Sequence, residues 1–82
     1  MVTKSTNPKV MIKRSLSIHG HRTSLALEAE FWDVIDAAVT DSGASFARFI
    51  RELDDERIKN GTPQNLASYL RVWVLKKIQN IE

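Results

Sequence analysis

Between Arg14 and Leu27 the chain reads RSLSIHGHRTSLAL, and its side chains change character from one residue to the next. Strand side chains alternate with a period of two, so Thr23, Leu25 and Leu27 fall on one side of an extended chain and Arg22, Ser24 and Ala26 on the other. One side is apolar; the other is polar and cationic. Upstream, Leu16 and Ile18 alternate with Ser15, Ser17 and His19 until Gly20 interrupts the pattern. Gly20 suits a bulge, a kink or the turn of a short intrachain hairpin. A lone strand leaves its backbone donors and acceptors unpaired, and no other strand pattern follows downstream. The pattern therefore predicts one strand over about 14–27 whose partner is the same strand of a second copy. The expected product is a homodimer joined by an intermolecular two-stranded antiparallel ribbon.

The rest of the chain agrees with so small a strand content. Its 82 residues make at most one domain, and a domain of that size buries a marginal share of its surface, which favours oligomerisation. A 43% hydrophobic content is that of a globular chain. With no cysteine, disulfides, cysteine zinc sites and thiol nucleophiles are excluded together, and a reducing cytoplasm is suited. No run approaches the roughly 20 apolar residues of a membrane span, and the N-terminus lacks the apolar stretch of a signal peptide, so a soluble cytoplasmic protein with no membrane partner is expected.

Charge is modest in sum, +2, but uneven in placement. Lys4, Lys9, Lys13, Arg14 and Arg22 all precede Glu28 without one carboxylate among them, whereas 28–56 holds most of the acids. Such asymmetry suits a polyanionic partner. Residues 1–12 show no periodicity and read as a disordered basic arm, leaving 13–82 as the domain.

Three helices are predicted after the strand, over about 28–41, 45–60 and 63–79. In the first, Glu28 and Glu30 sit at the end where the helix dipole favours negative charge, and Phe31, Trp32, Ile35, Ala38 and Val39 form the apolar stripe. Ser42-Gly43 stops it. Ser45 is placed to cap the second helix, whose Phe46, Phe49, Ile50, Leu53 and Ile58 keep to one face, with Arg48–Glu52 and Arg51–Asp55 paired four residues apart. Asn60-Gly61 ends it, and Thr62-Pro63 offers a start for the third, with Leu66, Leu70, Trp73, Val74 and Ile78 inward.

Other chemistries fit poorly. His19 and His21 share one face of a strand, but with no cysteine and only distant carboxylates to complete a site they read as exposed or DNA-facing histidines, not metal ligands. Asp54, Asp55 and Glu56 are consecutive and splay around a helix instead of converging, so no enzyme and no cofactor are expected. The aromatic residues are spaced as helix faces require.

The string KRSLSIHGHRTSLALEAEFWDVI, with SGASFARFIREL and NLASYLRVWVL after it, resembles a bacterial subfamily of short ribbon-helix-helix proteins sharing a GHRTS-x-x-LE-x-x-FW signature. Here that signature occupies Gly20 to Trp32. The resemblance implies a mainly α fold with a short β-strand, two chains intertwined, the ribbon in the DNA major groove and an extra C-terminal helix. It implies base contacts from Arg22, Ser24 and Ala26, shared by His21, with Ala26 standing where the family often has a long polar residue. It implies DNA backbone contacts from Gly43, Ala44, Ser45 and Phe46 at the second helix, to which Lys13 and Arg14 are added. Leu25, Leu27, Phe31, Trp32, Ile35, Phe49, Ile50 and Leu53 become the dimer core. The function implied is a cytoplasmic, nucleoid-associated transcriptional regulator, a repressor or autorepressor, binding double-stranded DNA as a dimer or as paired dimers. The competing reading is a dimeric protein-interaction module, such as an antitoxin or docking adaptor. It would use the third helix, where Val72 and Leu75 lie off the main stripe.

Overall fold

The computed structural model describes residues 10–80. They form β1 (Ile12–Ile18), β2 (His21–Leu27), α1 (Ala29–Ser42), α2 (Phe46–Lys59) and α3 (Leu66–Gln79). Residues 1–9 of the expected basic arm lie outside the described residues, and the arm's last predicted residue, Ile12, opens β1.

The single strand expected over 14–27 is two strands paired within one chain. His19 and Gly20 both have positive φ, 54° and 79°, which makes a two-residue turn of the type whose twist matches a hairpin. Of the three roles open to Gly20, the hairpin turn is the one realised. Glycine takes this conformation freely, and histidine is among the residues that tolerate it. The two strands pair antiparallel from Ile18↔His21 at the turn to Ile12↔Leu27 at the open end. Thus the partner assigned to a second copy is supplied by the chain's own residues 12–18, and both strands keep the alternation read in the sequence.

That alternation builds the core. Leu16, Ile18, Leu25 and Leu27 are buried on one face of the hairpin, and against them pack Trp32 and Ile35 of α1, Ile50 and Leu53 of α2, and Leu70 and Val74 of α3. The helices form a second layer, with α2 under β1, α3 under β2 and all three touching one another. Each fully buried aliphatic side chain contributes about 1.5–3 kcal/mol, so this face, more than helix propensity, holds the domain together. The Trp32 indole N–H donates to the Ile12 carbonyl at 2.8 Å, so the largest core side chain also has its polar atom satisfied.

Helix ends follow local chemistry. α1 ends at Gly43, in the left-handed conformation at φ 76°. Ser45 caps α2 through its Oγ, which accepts from the Arg48 N–H at 3.1 Å. At the far end of α2 the Gly61 N–H donates to the Ile58 carbonyl and the Thr62 N–H to that of Arg57, a Schellman closure. This corrects the predicted start of α3: Thr62 is spent on ending α2, and α3 begins at Leu66, capped by Asn65 Oδ1 accepting from the Ser68 N–H at 2.8 Å. The bounds of α1 and α2 differ from expectation by one residue, and α3 ends at Gln79 as expected.

The acidic run 54–56 does splay, but not into solvent alone. Asp54 is buried and takes two bonds from Arg57, at 3.0 and 2.8 Å. Asp55 pairs with His19 at 2.7 Å in place of the expected Arg51, and Glu56 accepts from the Tyr69 hydroxyl at 2.9 Å. The expected Arg48–Glu52 pair is present at 3.0 Å.

Candidate nucleic-acid interface

The hairpin's outer face is set by its register. Cross-strand pairs Lys13↔Ala26, Ser15↔Ser24 and Ser17↔Arg22 alternate with the buried pairs and so point away from the helices. Lys13, Ser15, Ser17, Arg22 and Ser24 are exposed, and Ala26 is half-buried. Among the described residues no carboxylate lies on this face. Ser15 Oγ and Ser24 Oγ stand 3.3 Å apart, joining the two rows. From Arg22 to Ala26 the strand advances about 13 Å, the rise of about four base steps. Small hydroxyl-bearing side chains between two cations suit a surface that must come close to a polyanion.

Three cationic or titratable residues from the same stretch do not join this row. Arg14 pairs with Leu25 and therefore faces inward. Its guanidinium makes a two-pronged bond to Asp36, Nη1–Oδ1 2.8 Å and Nη2–Oδ2 2.9 Å, and lies 4.3 Å over the Trp32 ring and 5.4 Å from that of Phe46. The hydrogen bond holds the Asp36 carboxyl below its ordinary range and raises the guanidinium above its own. His21 pairs with Ile18 on the inner side, bordering a cavity of about 260 Å³ with Thr23, Asp54, Arg57 and Leu66. His19, in the turn, is tied to α2 through Asp55. The H-x-H pair thus splits between turn and strand, and among the described residues no group of three or more His, Asp or Glu side chains is placed to hold a metal ion.

Gly43, Ala44, Ser45 and Phe46 form the turn that launches α2. The Ala44 N–H donates to Ser42 Oγ at 3.0 Å, and the Ser45 hydroxyl satisfies Arg48. The first-turn amides of Phe46 and Ala47 precede any intrahelical acceptor and carry the positive end of the helix dipole. Phe46 packs against Trp32 with ring centroids 5.8 Å apart, so the Arg14–Trp32–Phe46 stack fixes this helix end relative to the start of β1.

Of the residues expected in a dimer core, Leu25, Leu27, Trp32, Ile35, Ile50 and Leu53 are buried inside one chain. Phe31 and Phe49 are half-buried, the first under Arg71 at 5.7 Å and the second edge-on to Trp73 at 5.6 Å. Sequence reasoning missed Ser15 and Ser17 as members of the outer face. Their alternation with Leu16 and Ile18 was the signal, and an intrachain turn at Gly20 is what makes it meaningful.

A second surface feature is a groove of about 790 Å³ between α1 and α3. Val34, Ala38, Trp73 and Ile78 line it, with Asp33 on one wall and Lys77 on the other. No helix among the described residues is long and apolar enough to cross a membrane.

The fold defines a class, the small two-layer domain in which one β-ribbon with a polar, cationic outer face is backed by helices. A family model described as ribbon-helix-helix domain matches residues 11–78, and the chain belongs to that family. Ribbon-helix-helix domains are typically DNA-binding transcription regulators that act as dimers and are generally not enzymes. No curated protein and no solved structure matches the chain.

Proposed function

We propose that this protein is a homodimeric, sequence-specific double-stranded DNA-binding regulator, a repressor of transcription that includes its own promoter among its targets. The observation that carries the reading is the acid-free outer row of Arg22, Ser24 and Ala26, flanked by Lys13, Ser15 and Ser17, on a ribbon of a size the major groove admits. Arg22 donates two bonds to guanine O6 and N7, Ser24 serves a base or a phosphate, and Ala26 meets a thymine methyl. The α2 N-terminus, launched by the Gly43–Phe46 turn, holds a backbone phosphate with the first-turn amides of Phe46 and Ala47 and the helix dipole, the Gly43 and Ala44 amides being bonded to the Thr40 carbonyl and Ser42 Oγ.

The hairpin's edge supports the dimer. In a two-residue hairpin the pair beside the turn exchanges both backbone bonds, and bonded and non-bonded pairs alternate from there. Arg22, Ser24 and Ala26 therefore direct their N–H and C=O groups away from β1, toward an edge that has no strand partner in the two-stranded sheet. A second β2, antiparallel, satisfies that edge. The intermolecular ribbon then forms the centre of a four-stranded sheet, and dimers pair on adjacent half-sites.

The test is Arg22→Ala, assayed against the chain's own upstream DNA and scrambled duplex. A loss of about 1–3 kcal/mol confined to one base position supports the assignment. An equal loss on all duplexes with a salt slope lower by about one per contact makes Arg22 a phosphate contact instead. The α1–α3 groove favours a second reading, a protein-docking module that uses α3. Absence of specific retention by DNA, with a stoichiometric partner bound through α3, selects it.

A further inference from the structure

We infer that β1 is a phosphate clamp: Lys13, Ser15 and Ser17 of each copy grip the DNA backbone on the two walls of the groove that β2 reads. The inference rests on the reading above and deepens it. Neighbouring strands lie about 4.8 Å apart, so the outer strands of a four-stranded sheet stand about 14 Å from each other. The major groove is about 12 Å wide. Two central β2 strands fit inside it, and the β1 strands meet its rims, where the phosphates are.

The side chains on β1 have the chemistry that position demands. Lys13 is a compact point charge, which binds phosphate without fixing a base. Ser15 and Ser17 are short hydroxyl donors that reach only what the strand itself approaches. All three are exposed, and among the described residues none has a carboxylate neighbour on its face. The contrast with Arg14 on the same strand is informative, because that side chain is turned inward and bound to Asp36. β1 thus keeps one cation for the fold and presents another to the outside.

The experiment compares Lys13→Gln, the double variant Ser15→Ala/Ser17→Ala, and Arg22→Ala with the wild type. Each is titrated over a salt series against a duplex selected from a random pool by the wild-type protein, and against a scrambled duplex. All four positions are exposed, and circular dichroism checks that each variant is folded. Lys13→Gln is expected to weaken both duplexes by the same factor and to lower the salt slope by about two per dimer. The serine double variant, which removes two hydroxyls from each copy, is expected to weaken both equally, by about thirtyfold or more, with the slope unchanged because a hydroxyl releases no counterion. Arg22→Ala alone narrows the ratio between duplexes. If either β1 variant narrows that ratio, β1 itself lies among the bases and the inference is overturned. Unchanged affinity in both β1 variants overturns it too, while Arg22→Ala keeps its effect and the regulator reading stands. A wild type that selects no duplex removes both.

Discussion

Arg14 and Asp36 meet in a two-pronged ion pair, with distances of 2.8 and 2.9 Å, that ties the first strand to the first helix. Both side chains are about a third to a half exposed, at 34% and 47%, so solvent screens the pair and its worth is about 0.5–1 kcal/mol. Asp36→Asn is expected to cost that much in urea denaturation at neutral pH. Arg14→Ala is expected to cost more, because it also strips the stem and guanidinium from the face of Trp32.

The same pair gives an acid dependence of known sign. Asp36 is held below its ordinary carboxylate range, chiefly by the Arg14 hydrogen bond. Through the acid range the unfolded chain therefore binds more protons at this site than the folded one. Its stabilising contribution is complete above about pH 4 and is lost as pH falls through the lowered folded value. Unfolding midpoints measured from pH 7 to pH 2 are expected to fall less steeply for Asp36→Asn than for the wild type.

The hairpin turn is a second place where a small change has a defined cost. A Cβ added at Gly20 meets nothing within 4 Å, so the penalty of Gly20→Ala is conformational, not steric. Holding an L-residue at positive φ costs about 1–2 kcal/mol, and thermal unfolding reads it as a lowered midpoint.

Core and surface positions should separate cleanly. Ile35 is fully buried, and Ile35→Ala is expected to cost about 2–5 kcal/mol by chemical denaturation. Ile58, predicted on the apolar face of α2, is 58% exposed. Ile58→Ser is expected to change stability by about 0.5 kcal/mol or less.

Leu25 tests where the hydrophobic energy resides. It is 4% exposed within a single chain. Leu25→Glu is therefore expected to unfold the protomer, seen as loss of helical circular dichroism, and not to release a folded monomer in analytical ultracentrifugation.

What the sequence conveyed, and what it withheld, divides along physical lines. Alternation at Leu16, Ile18, Leu25 and Leu27 placed the buried face, because a period of two is a purely local property of the backbone. The outward placement of Arg22, Ser24 and Ala26 followed from the same rule. Strand pairing did not, because it depends on whether His19 takes positive φ, and histidine adopts that conformation only where context requires it. Arg14 looked like one more cation on a basic stretch. Its engagement with Asp36 and Trp32 depends on residues 22 and 18 positions away, which no spacing rule connects. Thr62-Pro63 carried a valid helix-start pattern, yet Thr62 was claimed by the preceding Schellman closure. Two local signals competed, and the hydrogen bond to Arg57 decided between them.

The hairpin register makes the molecule's surface chemistry a matter of parity. Arg22 and Ser24 are exposed and have no role in the core, so their identities can change with little folding penalty, and a new target preference can arise by point substitution alone. Adding or deleting one residue within the strand has the opposite effect, sending arginine, serine and alanine into the interior and leucines into solvent. Preference can drift freely at these positions, while the length of the strand that bears them is locked.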